Sequence, residues 1–466
     1  MSTPLWTGKE AQAAIGGSLA GRDDWTATGV SIDTRSLKPN DLFVALTDQR
    51  DGHEFVTDAV ARGAAASLVE RSGSLPGNLL IAGDALDGLR ALGRAARDRS
   101  QAIRVGVTGS VGKTSVKEAL AVVFKSVGSA HWSERSYNNH WGVPLTLARM
   151  PQDTQRAAFE MGMNHAGELS DLTSLVRPHV ALITKIAPAH LEFFDSVDDI
   201  ARAKAEIYEG LMPDGVAIYP RDDDFAEILL AHARKTAAGF ILDFGITPGA
   251  AIHVTDFKTG PAGGSGTVSV LGKTLSFEIG AQGAHWAWNV AAIFAASIAA
   301  GIDAEAVADA LRSVGPEDGR GRLHTLNICD GPAVQLVDDS YNANPVSMAA
   351  AIETLGAITP EGNGRRIAVL GEMLELGETG PERHAALADA LAAAKADIVI
   401  TCGGLMKHLH DALPARVEAH YAPSAEAAQT IVLDTIAAGD VVMIKGSNAS
   451  GVSRAAKALI DAQMRT

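Results

Sequence analysis

The chain has 466 residues, of which 47% are hydrophobic and 20% charged, as is typical of a globular protein long enough for about three domains. Its formal net charge of −15 argues against a general nucleic-acid binder, and two cysteines, Cys329 and Cys402, imply neither a disulfide framework nor a cysteine zinc cluster. Residues 1–10 lack an apolar signal core. The apolar stretch 290–302 is too short to span a bilayer and is expected to form a buried helix. The sequence therefore predicts a cytoplasmic protein with no membrane insertion.

Residues 1–100 are predicted to form a first, small α/β domain. A strand-like run occupies residues 42–46, and helical periodicity follows over residues 54–62. Before them, Ser31, Thr34 and Arg35 offer hydroxyl and guanidinium donors on a loop, which would suit a diphosphate or a sugar. A solvated turn between two strands is the simpler explanation of the same residues.

The second predicted domain, residues 101–316, opens with the pattern of a phosphate-binding loop. An apolar strand is expected over residues 103–107. The chain then turns through two glycines into a helix with apolar residues at helical spacing. Glycines let successive backbone N–H groups converge on a phosphate, and the N-terminus of the following helix favours an anion. Val107 stands where the longer form of the pattern has its first glycine, so this is the shorter Gly-x-x-Gly-Lys-Thr form. We expect Lys113 to reach the terminal phosphates of a nucleotide and the Thr114 hydroxyl to hold Mg²⁺. The loop consists of Thr108, Gly109, Ser110, Val111, Gly112, Lys113, Thr114 and Ser115.

Further polar residues follow the strands of this second domain. Asn138 and Asn139 lie on a loop beside a glycine and a proline, where amides can hydrogen-bond a ligand. Glu160 ends the next strand, at the usual ligand crevice of such a sheet, and could bind a metal or orient its water. His190 also falls at the end of a strand, but imidazole is an unusual Mg²⁺ ligand, so a structural role is equally open. Lys204 lies on an amphipathic helix, and taken alone it is most simply a solvated lysine.

The end of the second domain is predicted to differ from its beginning. Strand alternation and glycine turns over 251–280 indicate a small antiparallel excursion from the nucleotide-binding sheet. An apolar helix follows. Asn289 at its start could read an adenine edge, with helix capping as the alternative.

The glycine-rich segment 315–322 is predicted to be a hinge into a third domain, residues 317–466. Four strand-like runs in this domain each end in a polar, glycine-bearing loop, which is typical of a doubly wound, Rossmann-like α/β domain. Such loops line one crevice. Arg320, Asp339 and Lys445 could therefore bind substrate there or close on the nucleotide held by the second domain.

Together these motifs resemble the Mur ligases, which are ATP-dependent enzymes that extend the peptide of the peptidoglycan precursor. The resemblance covers essentially the whole chain, in the three-domain order of the family. The segments that carry it are Thr108–Glu118, Asn138–Thr146, Glu160–Gly162, Ala189–Glu192, Ala203–Glu206, Asn289, Gly319–Gly321, Asp338–Pro345 and Lys445–Ser447.

The resemblance implies a small α/β N-terminal domain, a central phosphate-loop domain with a parallel sheet, and a Rossmann-like C-terminal domain. The runs Asp338–Pro345 and Leu370–Gly377, with Asp33–Arg35 and Gly52–His53, are most similar to the family member that acts last in the cytoplasm. That member uses ATP and Mg²⁺ to join D-alanyl-D-alanine to a UDP-N-acetylmuramoyl-tripeptide through an acyl phosphate. We expect the same activity here, in a monomer. The Asp-Asn-Pro-Arg loop usual in the member that adds the third amino acid does not occur in the sequence.

The resemblance also implies roles for individual residues. Lys204 would act as a carbamate, because an ammonium would repel Mg²⁺ whereas a carbamate supplies oxygen ligands. The residues implied in catalysis and metal binding are Lys113, Thr114, Glu160, His190 and Lys204. Those implied in nucleotide binding outside the phosphate loop are Asn289 for adenine, and Arg320 and Asp339 as a clamp from the third domain. Those implied for the UDP-linked substrate are Ser31, Asp33, Thr34, Arg35, Asn138 and Asn139, and those for the dipeptide are Tyr341, Asn342 and Lys445.

Two positions depart from the family pattern. Trp286 follows His285 where relatives often have asparagine, so Asn289 would carry the adenine contact alone. Asn448 stands where relatives often have arginine, so a substrate contact made by that arginine would be lost or moved.

Three other functions stay open on the sequence. A Mur ligase that adds the third amino acid is the nearest of them. A folylpolyglutamate synthase would bind ATP with a similar set of residues. The first domain argues against this function, because it resembles a UDP-binding domain. A nucleotide-gated switch or binding module is the third possibility. The Asn-Lys-x-Asp motif with which regulatory GTPases recognise guanine does not occur in the sequence.

Overall fold

A computed structural model describes residues 4–134, 136–188, 192–236, 239–260, 263–315, 318–327 and 330–463. Within these ranges the strands form sheets of two, five, nine and six strands. Most neighbouring strands in the three larger sheets are parallel, and helices connect them. The predicted α/β fold class is therefore confirmed.

The N-terminal part of the chain forms a five-stranded sheet and a two-stranded ribbon. Its elements are β1 (Trp6–Thr7), α1 (Gly8–Ile15), β2 (Ser18–Ala20), β3 (Thr26–Ala27), β4 (Gly29–Ser31), β5 (Asp41–Val44), a 3-10 helix (Gly52–Phe55), α2 (Val56–Ala61), β6 (Ala66–Val69), β7 (Leu79–Ile81) and α3 (Ala85–Arg99). The sheet order is β2-β7-β6-β5-β4, and only β2 runs antiparallel to its neighbour. Leu42, Leu68 and Trp6 are buried in its core, which Leu145 and Ala148 from the next part of the chain complete. The core of this first sheet is thus shared across the predicted boundary at residue 100.

The middle of the chain forms a nine-stranded sheet, which we call the central sheet. Its elements are β8 (Ile103–Thr108), α4 (Lys113–Val127), β9 (Ala130–Trp132), α5 (Gly142–Ala148), β10 (Arg156–Glu160), α6 (Glu168–Val176), β11 (Val180–Ile183), α7 (Val197–Ala205), a 3-10 helix (Glu206–Gly210), β12 (Val216–Pro220), α8 (Ala226–Lys235), β13 (Phe240–Gly245), β14 (Ile252–Gly260), β15 (Gly263–Val270), β16 (Lys273–Ile279), α9 (Trp286–Ala299) and α10 (Ala304–Leu311).

The strand order of the central sheet places β8 between β10 and β11. The order is β16-β15-β14-β13-β12-β11-β8-β10-β9, with parallel pairing from β9 to β14 and antiparallel pairing from β14 to β16. The antiparallel excursion expected over 251–280 is therefore present. Because the chain leaves β8 and returns on both of its sides, the carboxyl end of β8 opens into the crevice where ligands bind in such sheets.

Helices cover both faces of the central sheet. One apolar cluster joins the sheet to α4, α9 and α10, and the other joins it to α6, α7 and α8. Helix α9 is buried over most of its length, which agrees with the buried helix expected near 290–302. No helix in the described ranges is long and apolar enough to cross a membrane.

The C-terminal part of the chain forms a six-stranded sheet, which we call the C-terminal sheet. Its elements are β17 (Arg322–Leu326), β18 (Val334–Asp339), α11 (Pro345–Ala357), β19 (Arg366–Gly371), a 3-10 helix (Gly377–Thr379), α12 (Gly380–Ala385), α13 (Leu387–Ala393), β20 (Ile398–Cys402), α14 (Met406–Ala412), β21 (Glu418–Ala422), α15 (Ala425–Thr435), β22 (Val441–Lys445), a 3-10 helix (Asn448–Ser450) and α16 (Ser453–Gln463).

The C-terminal sheet has the order β17-β18-β22-β19-β20-β21, in which only β17 is antiparallel. Apolar clusters lie on both of its faces, as in a doubly wound sheet. The four strand-like runs expected in this region are β18, β19, β20 and β22. Pro316 and Glu317, at the predicted boundary between the second and third domains, lie outside the described residues.

Candidate active site

The loop between β8 and α4 adopts a conformation that only glycine permits at two positions. Gly109 and Gly112 have φ angles of 145° and 86°. A Cβ on Gly109 would lie 2.0 Å from Thr184 Oγ1, and one on Gly112 would lie 2.8 Å from Asn289 Oδ1. The loop is also tied to the end of β11, because Thr184 Oγ1 donates a hydrogen bond of 2.6 Å to the carbonyl of Val111. Both glycines are therefore required by close packing as well as by backbone conformation.

Lys113 folds back over this loop. Its Nζ donates to the carbonyls of Gly109 at 2.6 Å and Ser110 at 3.3 Å. Burial lowers the pKa of Lys113, and the charge of Glu160 opposes this shift. The buried hydroxyls of Thr108 and Ser110 make no hydrogen bond within the described ranges. The loop thus combines a cation, polar hydroxyls and a helix N-terminus, which is the arrangement that binds a phosphate.

Glu160 ends β10 beside the loop and is 1% exposed. Its Oε2 accepts a hydrogen bond of 2.8 Å from Thr114 Oγ1, and its Oε1 accepts one of 2.9 Å from Asn138 Nδ2. Its backbone N–H donates to Ser133 Oγ at 3.2 Å. A hydroxyl and a carboxylate beside a phosphate loop are hard oxygen donors, so Thr114 and Glu160 fit Mg²⁺.

Lys204 lies on α7 with its side chain enclosed, at 1% exposure. Burial lowers its pKa well below the ordinary lysine value, and the charge of Lys113 lowers it further. No carboxylate within the described ranges contributes to the pKa of Lys204. Burial and the neighbouring charge thus both disfavour the ammonium form of Lys204, which is enclosed and is not the solvated lysine that the sequence pattern alone suggests.

His190, the other predicted metal ligand, lies outside the described residues together with Ala189 and Leu191. Among the residues that the structure does describe, no group of three or more histidine, cysteine, aspartate and glutamate side chains is placed to hold a metal ion. Of the predicted metal ligands, Thr114 and Glu160 are the two whose side chains contact each other in the described ranges.

Loops of the C-terminal sheet form the facing wall. Lys445 Nζ donates to Asp339 Oδ2 at 2.8 Å and to the carbonyl of Asn342 at 2.9 Å. Burial raises the pKa of Asp339, while the charge of Lys445 acts to lower it. The Arg320 guanidinium lies 4.1 Å from the centre of the Tyr341 ring. The wall is therefore held by a buried ion pair and a cation–π contact.

The two walls touch through Tyr341 and Ser136. The Tyr341 hydroxyl donates a hydrogen bond of 2.6 Å to Ser136 Oγ, although 205 positions separate the two residues. Ser136 lies in the segment between β9 and α5, close to Asn138. The contact connects the C-terminal sheet to the segment whose amide holds Glu160.

A cavity of about 890 Å³ lies between the two walls. It brings together most of the predicted nucleotide, metal and dipeptide residues. The predicted residues that line it are Ser110, Val111, Gly112, Lys113, Thr114, Ser115, Asn138, Asn139, Glu160, Lys204, Asn289, Arg320, Asp339, Tyr341, Asn342 and Lys445. Lining residues that the sequence analysis did not assign include Ser136, Lys185, Gln282 and Glu375. No local pattern marks these four residues, because long-range chain packing places them.

A second cavity of about 530 Å³ lies on the other side of α4. Ala119, Trp286 and Leu323 line it, and it shares Ser115 and Arg320 with the larger cavity. Its wall thus combines apolar residues with polar and charged ones, such as Glu118 and Arg322, next to the phosphate loop.

The predicted residues of the first sheet lie apart from both cavities. Arg35 forms a 2.7 Å ion pair with Asp33, and Ser31 Oγ donates to the carbonyl of Asp33 at 3.0 Å. Arg149 Nε donates to the carbonyl of Val30 at 2.6 Å, and its guanidinium lies 5.9 Å from the ring of Tyr137, the residue before Asn138. The first sheet and the larger cavity are therefore connected through the 137–139 segment.

Comparison with known proteins gives two family matches and close full-length relatives. The Mur ligase middle domain matches residues 107–297, and the Mur ligase glutamate ligase domain matches residues 321–448. The UDP-N-acetylmuramoyl-tripeptide–D-alanyl-D-alanine ligase of Rickettsia prowazekii is 30% identical over 95% of this chain and 97% of its own length. The ligase of the same name from Escherichia coli is 34% identical over 96% of both chains. A crystal structure of MurF from Acinetobacter baumannii superposes with a TM-score of 0.85 at 28% identity, covering 98% of this chain and 99% of that one.

Proposed function

The chain belongs to the Mur ligase family, and on that premise we propose that it joins D-alanyl-D-alanine to a UDP-N-acetylmuramoyl-tripeptide with hydrolysis of ATP to ADP. The observation that carries the proposal is the larger cavity, in which the phosphate loop, the Thr114–Glu160 pair and the wall of the C-terminal sheet meet. The relatives that match over nearly their full length carry the name of this activity. The reaction would take place in the cytoplasm, where ATP is available.

The ATP phosphates would bind at the loop between β8 and α4. Lys113 would exchange its carbonyl contacts within the loop for phosphate oxygens, and the Thr108 and Ser110 hydroxyls would gain partners. Asn289, which lines the larger cavity, would contact the adenine. The loop thus provides positive charge and hydrogen-bond donors without a change of fold.

The Thr114 hydroxyl and the Glu160 carboxylate would hold Mg²⁺, together with a carbamate on Lys204 and with His190. When bound, Mg²⁺ would neutralise the negative charge that develops as a phosphoryl group is transferred. Carbamate formation requires a neutral amine, and the lowered pKa of Lys204 makes that form easier to reach. The amine nitrogen would add to the carbon of CO₂ and release one proton, which converts a base into an oxygen donor.

The reaction would then proceed in two steps. A terminal carboxylate oxygen of the tripeptide attacks the γ-phosphorus of ATP, the bond to the bridging oxygen breaks, and ADP leaves. The dipeptide nitrogen next attacks the carbonyl carbon of the acyl phosphate. A C–N bond forms, the C–O bond to phosphate breaks, phosphate leaves, and the nitrogen loses a proton. Lys113 and Arg320 would stabilise the negative charge in both steps.

The three substrates would occupy different parts of the chain. The UDP group would lie against Ser31, Asp33, Thr34 and Arg35, with Asn138 and Asn139 leading toward the larger cavity. The dipeptide would lie near Tyr341, Asn342 and Lys445, and Arg320 and Asp339 would close on the nucleotide. We accordingly divide the chain at residues 1–100, 101–316 and 317–466. Because this site draws on all three parts, assembly by domain closure is expected.

Mass spectrometry of the products tests the proposal directly. ATP, the UDP-linked tripeptide and D-alanyl-D-alanine should give the UDP-linked pentapeptide, ADP and phosphate. The UDP-linked dipeptide with a diamino acid or lysine should give no product. The opposite result would favour the family member that adds the third amino acid, and ATP hydrolysis without any amide product would favour a nucleotide switch.

A variant pair separates ATP chemistry from precursor binding. Lys113→Ala should abolish phosphate release from ATP and leave binding of the UDP-linked precursor nearly intact. Lys125→Ala, on the exposed side of the same helix, should behave as the wild type. Equal loss of both activities in Lys113→Ala would count against the domain assignment.

A further inference from the structure

Helix α4 carries a lysine that the protein encloses completely. Lys117 is 0% exposed, although it lies only one turn beyond Lys113. Its Nζ donates a hydrogen bond of 2.8 Å to the carbonyl of Ser133, and it also contacts the Glu118 carboxylate. Taking an ammonium out of water costs free energy even when the ammonium is paired. An apolar side chain of similar length would fill the space without that cost, so the groups that the ammonium contacts indicate a role beyond packing.

Ser133, which accepts this hydrogen bond, lies directly after β9 and is itself 0% exposed. Strand β9 is at the edge of the central sheet and pairs with β10 alone, over three residues. The sheet therefore gives the end of this strand little support. The Ser133 N–H donates to the carbonyl of Ala158 at 3.1 Å, while the Ser133 carbonyl accepts from Lys117. Lys117 thus holds the end of an edge strand from the neighbouring helix.

The hydroxyl of Ser133 connects this arrangement to the candidate metal site. The Glu160 N–H donates to Ser133 Oγ at 3.2 Å, and the Glu160 carboxylate accepts a bond of 2.8 Å from Thr114 Oγ1. Thr114 and Lys117 are three positions apart on α4, so they lie on the same face of the helix. One face of α4 therefore holds the carboxylate of Glu160 directly and its main chain through Ser133.

The position of a metal ligand affects metal binding as well as its chemical type does. Groups that hydrogen-bond a metal ligand orient it, and removing one of them typically lowers metal affinity or activity by about 10- to 100-fold. Glu160 is enclosed, and both of its carboxylate oxygens are already hydrogen-bonded by side chains. A shift of its main chain would move the carboxylate relative to the phosphate loop. Loss of the main-chain support is therefore expected to lower the affinity for the metal.

We propose that Lys117 is a positioning residue for the metal site. Its ammonium holds the carbonyl of Ser133, and Ser133 in turn holds the main chain of Glu160, so that the carboxylate stays beside the phosphate loop. This assignment rests on the proposed function, because the metal site belongs to that reaction. Lys113, four positions earlier on the same helix, would bind phosphate directly, whereas Lys117 acts through the two residues that separate it from the metal.

The test measures metal affinity separately from catalysis. Binding of Mn²⁺ to the enzyme–ADP complex is followed by the loss of the EPR signal of free Mn²⁺. Lys117→Met keeps an apolar stem and removes the ammonium, so it should raise the Mn²⁺ dissociation constant by about 10- to 100-fold. Its affinity for ADP in the presence of EDTA should equal that of the wild type. Lys125→Met is the matched control, because Lys125 packs on Trp132, the residue before Ser133, and should bind Mn²⁺ as the wild type does.

A second variant tests the path from Lys117 to Glu160. Ser133→Ala removes only the hydroxyl that accepts the Glu160 N–H, and it should also weaken Mn²⁺ binding. Because both changes act on the same main-chain support, the double variant should bind Mn²⁺ no more weakly than the weaker single variant. In ligation assays, Lys117→Met and Ser133→Ala should raise the Mg²⁺ concentration needed for half-maximal activity. Their KM values for the UDP-linked tripeptide and for D-alanyl-D-alanine should stay within about twofold of wild type. A merely structural lysine would change stability and leave this metal dependence as it is.

A charge-balanced variant separates the bond to Ser133 from the contact with Glu118. Lys117→Met combined with Glu118→Gln leaves no unpaired carboxylate, so it should fold even if Lys117→Met alone does not. It should still bind Mn²⁺ as weakly as expected for Lys117→Met, because the bond to Ser133 is missing. Wild-type Mn²⁺ affinity in this charge-balanced variant, or in Ser133→Ala, overturns the inference while the proposed function stands. Wild-type protein that forms no amide product overturns the proposed function, whatever the Mn²⁺ affinities of the variants.

Discussion

Replacing Lys204 by alanine should abolish ligation while leaving the protein folded. The side chain is enclosed, so the change removes about three buried methylenes and lowers the free energy of unfolding by about 2 kcal/mol. Part of that loss is offset because the desolvated amine, whose pKa burial lowers, is also removed. Loss of a preorganised charged group beside the transferring phosphoryl group should lower kcat by about 100- to 1,000-fold. The effect on catalysis is thus much larger than the effect on stability.

Chemical rescue distinguishes a carbamate from a merely structural lysine. Lys204→Ala leaves a space at the larger cavity, which Thr114 and Glu160 also line, and formate or acetate can enter it. Millimolar acid should therefore restore part of the ATP-dependent amide formation. Lys204→Met keeps the apolar stem and fills that space, so it should be equally inactive and should not be rescued. Phosphate release and pentapeptide formation would both be followed with increasing acid concentration. Wild-type rates in Lys204→Ala without acid, or equal rescue of both variants, would refute the reasoning.

The remaining predictions concern the wall of the C-terminal sheet. Asp339→Asn should lower the free energy of unfolding by about 3 kcal/mol, because it leaves the buried ammonium of Lys445 unpaired, and adding Lys445→Met should recover part of that loss in denaturant titrations. Tyr341→Phe removes the hydrogen bond with Ser136, which is worth about 1 kcal/mol, so it should raise the dipeptide KM about fivefold. Ser136→Ala should raise the dipeptide KM by the same factor. The double variant should raise it no further than either single variant does. The fold lowers the pKa of His384 below its ordinary value of 6.5, so the unfolded chain binds more protons as the pH falls. The free energy of unfolding should therefore decrease as the pH drops below 6.5, and less steeply in His384→Gln, as measured by guanidinium unfolding at several pH values.

The sequence predicted the elements around the phosphate loop closely because local periodicity determines them. The expected strand 103–107 is β8 (Ile103–Thr108), and the helix after it is α4 (Lys113–Val127). A run of buried β-branched residues followed by glycines, and then by apolar residues at helical spacing, fits no other combination of elements. The prediction was less accurate where short elements meet: the helix expected over 54–62 is a 3-10 turn followed by α2 (Val56–Ala61).

The contacts within the site could not be predicted in the same way. The expected UDP residue Asn138 donates to Glu160, which is 22 positions away, and Tyr341 reaches Ser136 across 205 positions. The first pair depends on how the loop between β9 and α5 folds against β10, and the second on how the central and C-terminal sheets pack. No spacing in the chain encodes either of them. Local patterns thus identify which residues carry polar groups near strand ends, whereas tertiary packing decides which of these groups meet.

Two lysines at the same cavity illustrate why residue type alone does not define the chemistry. Lys445 and Lys204 are 2% and 1% exposed, and both lie on regular elements. Lys445 donates to a carboxylate at 2.8 Å and to a carbonyl at 2.9 Å, and these two bonds hold Asp339 and its loop. The pKa of Lys204 is lowered by burial and by the positive charge of Lys113, and no described anion opposes this shift. A neutral amine is a nucleophile toward CO₂, and the carbamate proposed on Lys204 would have the charge that a site with Lys113 and a divalent cation needs. On this proposal, the anions around each lysine decide whether it holds a loop, as Lys445 does, or serves the metal site, as Lys204 would.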